Sequence, residues 1–268
     1  MASFYPLAEA AGRIAGEDGK VVNLTPAGTE PHDLELSPAQ VDRLQAADLV
    51  VYMGQGFQPA LEDVVERRRG PKLDVAGELP LDRASVPEGG DGGGLDPHFW
   101  LDPTLMAKAV ESIEKALTRA RPRRRAELER NGAAYRAELQ GLDREYAQGL
   151  ATCQRRELVT SHAAFHYLAR RYGLVQEPIA GVSPEAEPDP QRLAAIADLV
   201  RRRGVTTIFS ETLASPEVSR TIARETGAKT AVLDPIEGLG EDQLARGASY
   251  SGVMRENLAT LREALGCR

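Results

Sequence analysis

Short runs of β-branched and apolar residues alternate along this chain with longer stretches in which apolar positions recur every three or four residues. Residues 21–24, 49–52, 157–160, 206–209 and 230–233 read as strands, and 37–47, 59–69, 163–171, 190–203 and 216–226 read as helices. Strands separated by helices argue for parallel sheets flanked by helices. Ser37-Pro38 and Asp102-Pro103 each set a capping side chain before a proline at the first helical position, which fixes two of the helix starts.

After Pro122 the apolar residues Leu128, Tyr135, Leu139, Leu142, Tyr146 and Leu150 lie on one face with charges between them, so one long amphipathic helix is expected to about Leu150. At 1.5 Å per residue such a helix is roughly 39 Å long, the length of a whole lobe. The expected organisation is therefore an α/β lobe over residues 1–120, a rigid linking helix over 121–150, and a second α/β lobe over 151–268. The opening residues up to Pro6 read as the tail of a strand, and residues 250–265 as a C-terminal helix.

Composition narrows the class. The 268 residues are 42% hydrophobic and 27% charged, which suits a soluble fold with a substantial core. Forty acidic residues against 33 basic ones give a formal charge of −7, and the basic runs at 67–69, 121–125 and 201–203 are interrupted by acids. They read as solvated helix faces, and nucleic-acid binding is not expected. No stretch approaches the ~18 apolar residues of a membrane helix, and the start has no basic-then-apolar export signal. A chain opening on a strand tail is expected to have lost a leader. Cys153 and Cys267 are the only cysteines; they permit one disulfide or two buried thiols, and no zinc ribbon.

Three of the four histidines follow a strand or open a helix: His32 after the loop 26–31, His98 in Asp96-Pro97-His98-Phe99-Trp100-Leu101-Asp102-Pro103, and His162 after Thr160-Ser161. Asp234 ends another strand before Pro235. In open parallel sheets ligands collect beyond the carboxyl ends of strands, so these four side chains point to one site. Three imidazoles and a carboxylate make a tetrahedral zinc set. His166 shares a helix face with His162 but reads as a rim residue. Glu30, Asp96, Asp102 and Glu211 are candidate partners for imidazole N–H groups. The stretch from Pro87 to Gly94 holds no regular element and is expected to be a loop overhanging the site.

These segments, with Ser3-Phe4-Tyr5-Pro6-Leu7, Gly28-Thr29-Glu30-Pro31-His32-Asp33, Ser161-His162-Ala163-Ala164-Phe165 and Val232-Leu233-Asp234-Pro235, resemble the metal-binding subunits of zinc and manganese ABC importers over essentially the whole chain. The resemblance implies two lobes joined by a single helix and metal ligands at His32, His98, His162 and Asp234. Histidine at the third position is similar to zinc members, where manganese members carry glutamate. It further implies an extracytoplasmic monomer, periplasmic or a cell-surface lipoprotein, that takes zinc as cargo, delivers it to a membrane permease and has no catalytic residues; that location favours the disulfide. The short loop at 87–94, without histidine, departs from the His-rich loop of many zinc members. Other readings are a zinc hydrolase with Asp234 or Glu211 as base, which lacks any accompanying catalytic motif, and a manganese-binding protein or adhesin of the same fold.

Overall fold

The structure, a computed structural model, describes residues 1–84, 94–184 and 188–268. The glycine-rich stretch expected to overhang the site lies, up to residue 93, outside the described residues. The chain folds into two compact units, each assembled from separated segments: residues 1–81, 103–141 and 236–250 form the first, and 82–102, 142–235 and 251–268 the second.

The first unit begins with helix α1 (Tyr5–Ala15), then α2 (Pro38–Ala46), strand β1 (Val50–Tyr52), α3 (Pro59–Glu66), β2 (Lys72–Asp74), α4 (Pro103–Ala120) and α5 (Arg125–Gly149) up to Gly141. β1 and β2 pair in parallel, and Ala2 bridges both Val51 and Asn23 in parallel on the far side of β1. The strand expected at 21–24 is thus a single bridge at Asn23, because the neighbouring backbone reaches it only through Ala2. The expected strand tail at the start becomes α1 from Tyr5: Pro6 suits the first turn, and Leu7, Ala10, Ala11, Ile14 and Ala15 form one buried stripe. α2 starts as expected, with a capping box between Ser37 and Gln40. Leu24, Leu44, Val50, Leu61 and Val65 pack into one core beside the sheet.

α3 stops at Glu66, short of the expected 69, and the basic run after it is not all solvated. Arg68 is 5% exposed and turns its guanidinium onto the carbonyls of Leu44, Gln45 and Ala47. Those carbonyls lie at the C-terminal end of α2, where intrahelical donors run out, so a buried cation is held where the helix dipole is negative.

The second unit takes the end of α5, then β3 (Glu157–Thr160), α6 (His166–Tyr172), β4 (Val175–Pro178), α7 (Pro190–Arg203), β5 (Thr207–Ser210), α8 (Glu217–Thr226) and β6 (Lys229–Val232). The short helix α9 (Glu241–Ala245) belongs to the first unit, and all but the first residue of α10 (Tyr250–Leu265) to the second. The sheet is parallel in the order β4-β3-β5-β6. Val159, Ile196, Val200, Ile208 and Ile222 bury one of its faces under α7 and α8. Glycines at 173, 204 and 227 end α6, α7 and α8 in the left-handed conformation that a Cβ disfavours. α6 starts at His166 and not at 163, because the Ala163 N–H donates to Gly181 O at 2.8 Å and so is tied outside a helix.

α5 carries 25 residues, and Leu128, Tyr135, Leu139, Leu142, Tyr146 and Leu150 are all buried, as the spacing predicts. The division between units falls within it, between Gly141 and Leu142. Cys153 and Cys267 form a disulfide that ties the chain before β3 to the end of α10. It closes 114 residues. Chain entropy alone gives such a loop an upper value of about 4.7 kcal/mol. Denatured, unreduced protein is expected to show no free thiol, and reduction to lower the melting temperature by several degrees; two free thiols, or an unchanged melting curve after reduction, would contradict the staple.

Candidate metal centre

The second unit brings two histidines together. β3 and β5 pair with Thr160 beside Phe209, so their carboxyl ends lie side by side, with His162 just past one and Glu211 just past the other. Glu211 Oε2 lies 2.7 Å from His162 Nδ1, and its Oε1 accepts the His162 backbone N–H at 3.2 Å. Thr160 Oγ1 and Gln176 Nε2 both donate to His162 O, at 2.8 and 3.0 Å, which fixes the turn.

His98 is built in the same way from a local turn. Asp96 Oδ1 accepts the His98 backbone N–H at 3.0 Å and lies 2.8 Å from Nδ1. Tyr167 on α6 anchors this turn: its hydroxyl donates to Asp96 O at 2.9 Å and accepts the Asp82 N–H at 2.9 Å.

A carboxylate on each Nδ1 sets the tautomer. Nδ1 carries the proton, and Nε2 is left with a lone pair. The two Nε2 atoms face each other at 3.4 Å, and both side chains are fully buried. Two nitrogens at ~2.0–2.1 Å from a tetrahedral zinc ion lie about 3.3–3.4 Å apart, a spacing that this pair matches.

The first unit carries a second pair. His32 follows Pro31, whose carbonyl accepts from Gln58 Nε2 at 3.1 Å, and its ring meets Phe57 edge-on at 4.6 Å between centroids. Glu30 Oε1 accepts the His32 backbone N–H at 3.3 Å. Glu237 Oε1 stands 3.5 Å from His32 Nε2 and is buried. The Gly28 N–H donates to Leu239 O at 2.9 Å, which joins the His32 loop to the segment that carries Glu237.

Asp234 lies in the second unit past the end of β6, is buried, and has its main chain clamped by Asn257: its N–H donates to Oδ1 at 2.9 Å and its carbonyl accepts from Nδ2 at 2.7 Å. Asp102 is buried just before α4. His166 sits instead against Asp82, with Nε2 3.0 Å from Oδ2, and Arg170 pairs with the same carboxylate. Burial pushes the Asp82 carboxyl up, but these two partners outweigh it and hold it below its ordinary range. Strand-end reasoning singles out His32, His98 and His162, and it does not single out Glu237, which stands beside His32. The one local signal for it was an acid two residues past Pro235, beyond any strand.

With this geometry in view, the model of the family described as zinc-uptake complex component A, periplasmic (ZnuA), matches residues 1–264. The chain belongs to this family. It is 37% identical over 274 residues to the zinc-binding lipoprotein AdcA of Streptococcus pneumoniae, which covers 98% of the chain and 55% of that protein. It is 35% identical over 276 residues to the high-affinity zinc uptake system protein ZnuA of Bacillus subtilis, covering 99% of the chain and 86% of the relative. The chain thus spans about half the length of the AdcA proteins it matches. Among solved structures, Zn(II)-bound AdcA from S. pneumoniae superposes with a TM-score of 0.83 at 36% identity, covering 98% of this chain and 57% of that one. The laminin-binding protein Lmb of Streptococcus agalactiae, titled a bifunctional protein with adhesin and metal transporting activity, gives a TM-score of 0.88 at 31% identity, covering 98% of both chains. Imidazole nitrogen suits zinc better than the oxygen-preferring manganese.

The carboxylates behind the imidazoles give a sharp expectation. Glu211→Gln and Asp96→Asn are each expected to weaken zinc binding about 10–100-fold in competition with a chromophoric chelator, with the fold retained. His166→Ala, whose partner is Asp82, is expected to change binding by less than about threefold; a loss equal to that of Glu211→Gln would overturn the arrangement.

Proposed function

We propose that this protein captures zinc outside the cytoplasm and delivers it to the membrane permease of an ABC importer. The observation that carries the reading is the facing pair of Nε2 lone pairs on His98 and His162, each fixed by a buried carboxylate. Such a pair has no use for a proton or a water that a metal ion would not serve better. Its donors are borderline-soft, as zinc prefers.

Four protein donors complete a zinc ion, and the second pair, His32 with a carboxylate, supplies the remaining two. For that carboxylate the 3.5 Å approach to His32 Nε2 favours Glu237 over Asp234. A set of four protein ligands leaves no position for an activated water, which argues for carriage over hydrolysis. Zinc is then cargo. Family membership and relatives named as uptake proteins and lipoproteins support a periplasmic or membrane-tethered location, and the delivering form in this reading is a monomer. Release follows from disturbing any one donor, since affinity rests on all four together.

Metal analysis of protein purified without chelator is expected to give one zinc per chain that excess manganese does not displace. His98→Ala and Glu237→Gln should each lower zinc affinity by about a hundredfold or more, a larger loss than for residues behind the ligands, while Asp234→Asn should leave it nearly unchanged. A larger loss in Asp234→Asn than in Glu237→Gln would make Asp234 the fourth ligand. Chelator should also lower the melting temperature, because zinc at a thousandfold excess over its Kd stabilises the folded state by about 4.1 kcal/mol; unchanged melting would refute folded-state zinc binding.

A further inference from the structure

The chain holds one tryptophan, Trp100, and it is fully buried in the second unit. It lies in a single 3-10 helical turn (Phe99–Leu101) directly after His98. Its ring meets the His98 ring at 5.2 Å between centroids. Its Nε1–H reaches in another direction and donates to the carbonyl of Pro235 at 2.7 Å.

That carbonyl lies where the chain has little freedom left. Asn257 holds the N–H of Asp234 at 2.9 Å and its carbonyl at 2.7 Å. The pyrrolidine ring then fixes φ of Pro235 at about −65°. What remains is rotation about the Cα–C bond of Pro235, which turns the whole planar peptide joining it to Ile236. The indole N–H takes the oxygen of that peptide and so sets the angle from the carbonyl side.

The angle is not one the chain would adopt by itself. Ile236 is held at φ 56°, in the left-handed region that a β-branched side chain disfavours. Rotating a peptide changes ψ of the residue before it and φ of the residue after it. Releasing the Pro235 carbonyl therefore lets Ile236 relax to negative φ and carries the next residue with it. That residue is Glu237, buried, with Oε1 3.5 Å from His32 Nε2. Two residues further on, Leu239 O accepts the Gly28 N–H at 2.9 Å, so the carboxylate stands between two fixed points of the backbone.

We propose that Trp100 is a positioning residue for zinc capture: its indole N–H locks the Pro235–Ile236 peptide and thereby aims the Glu237 carboxylate at the metal position beside His32. The role rests on the zinc site proposed above with Glu237 as its fourth donor. One side chain then serves two donors in separable ways, since phenylalanine at this position keeps an aromatic ring against His98 and removes only the N–H. The bond and zinc binding are linked, and linkage is reciprocal. Whatever factor the bond adds to zinc affinity, zinc adds to the stability of the bond.

The test combines zinc titrations of full-chain variants against a chromophoric chelator with hydrogen exchange of the indole N–H in isotope-labelled protein. Trp100→Phe is expected to weaken zinc binding about tenfold, within the range for groups behind metal ligands. Made in Glu237→Gln, the same change should cost less than about twofold, because the carboxylate it aims is gone, whereas in Glu211→Gln it should cost the full factor. In Ile236→Gly, where the left-handed conformation carries no steric cost, it should cost less than about threefold. In the unaltered protein, zinc should slow exchange of the indole N–H by about tenfold. Equal losses from Trp100→Phe in the unaltered and Glu237→Gln backgrounds, or indole exchange that zinc leaves unchanged, would overturn the role while the zinc site stands. Unaltered protein that takes up no zinc would overturn the zinc reading and this role with it.

Discussion

Two imidazole nitrogens pointing their lone pairs at each other across 3.4 Å, in a place without water-exposed surface, are the arrangement on which the chemistry of this protein turns. Behind it stand two carboxylates, Asp96 at 1% and Glu211 at 7% exposed, each spending its hydrogen-bonding capacity on one histidine. Buried carboxylates behind imidazole nitrogens favour a bound cation. The parallel pairing of β3 with β5 sets His162 beside Glu211, and the Tyr167 anchor holds the Asp96–His98 turn. Both depend on rigid elements, so the pair is preorganised before any metal arrives.

The first unit holds a different pair, one imidazole and one carboxylate, in His32 and Glu237. Between Asp234 and Glu237 the chain passes Ile236, a β-branched residue at φ 56°, where such residues are strained by about 1–3 kcal/mol. Trp100 Nε1 donates to the carbonyl of Pro235 at 2.7 Å, and Asn257 grips Asp234 on both sides of its peptide. The strain is thus borne by a backbone that its surroundings over-determine, immediately before the carboxylate that faces His32.

How much of this was legible in the sequence depends on the property each signal measures. Strand-to-strand rhythm and helix caps read out local propensity, so β3, α7 and α10 lie where periodicity puts them. α1 was invisible because Phe4, Tyr5 and Leu7 suit a strand as well as a helix, and only the buried stripe from Leu7 to Ala15 decides. Of the histidines placed by strand-end reasoning, His162 does follow a strand, β3, whereas His98 sits in a local turn. Glu237 escaped the same rule: it sits past the strand, past a proline and past a strained residue, and its meeting with His32 depends on the Gly28–Leu239 bond, which no local pattern encodes. Arg68 escaped for a related reason, because a charge run reveals nothing of which carbonyls need a donor.

In the proposed function, zinc preference and capture share one origin. Nitrogen donors held at a tetrahedral edge favour a d¹⁰ ion without geometric demands of its own, and penalise ions that seek six oxygens. The most direct test is X-ray absorption at the zinc edge of the loaded protein. The account predicts four nitrogen or oxygen neighbours at about 2.0–2.1 Å, with the outer-shell scattering of three imidazoles. A six-oxygen shell, or scattering from fewer than two imidazoles, would contradict it.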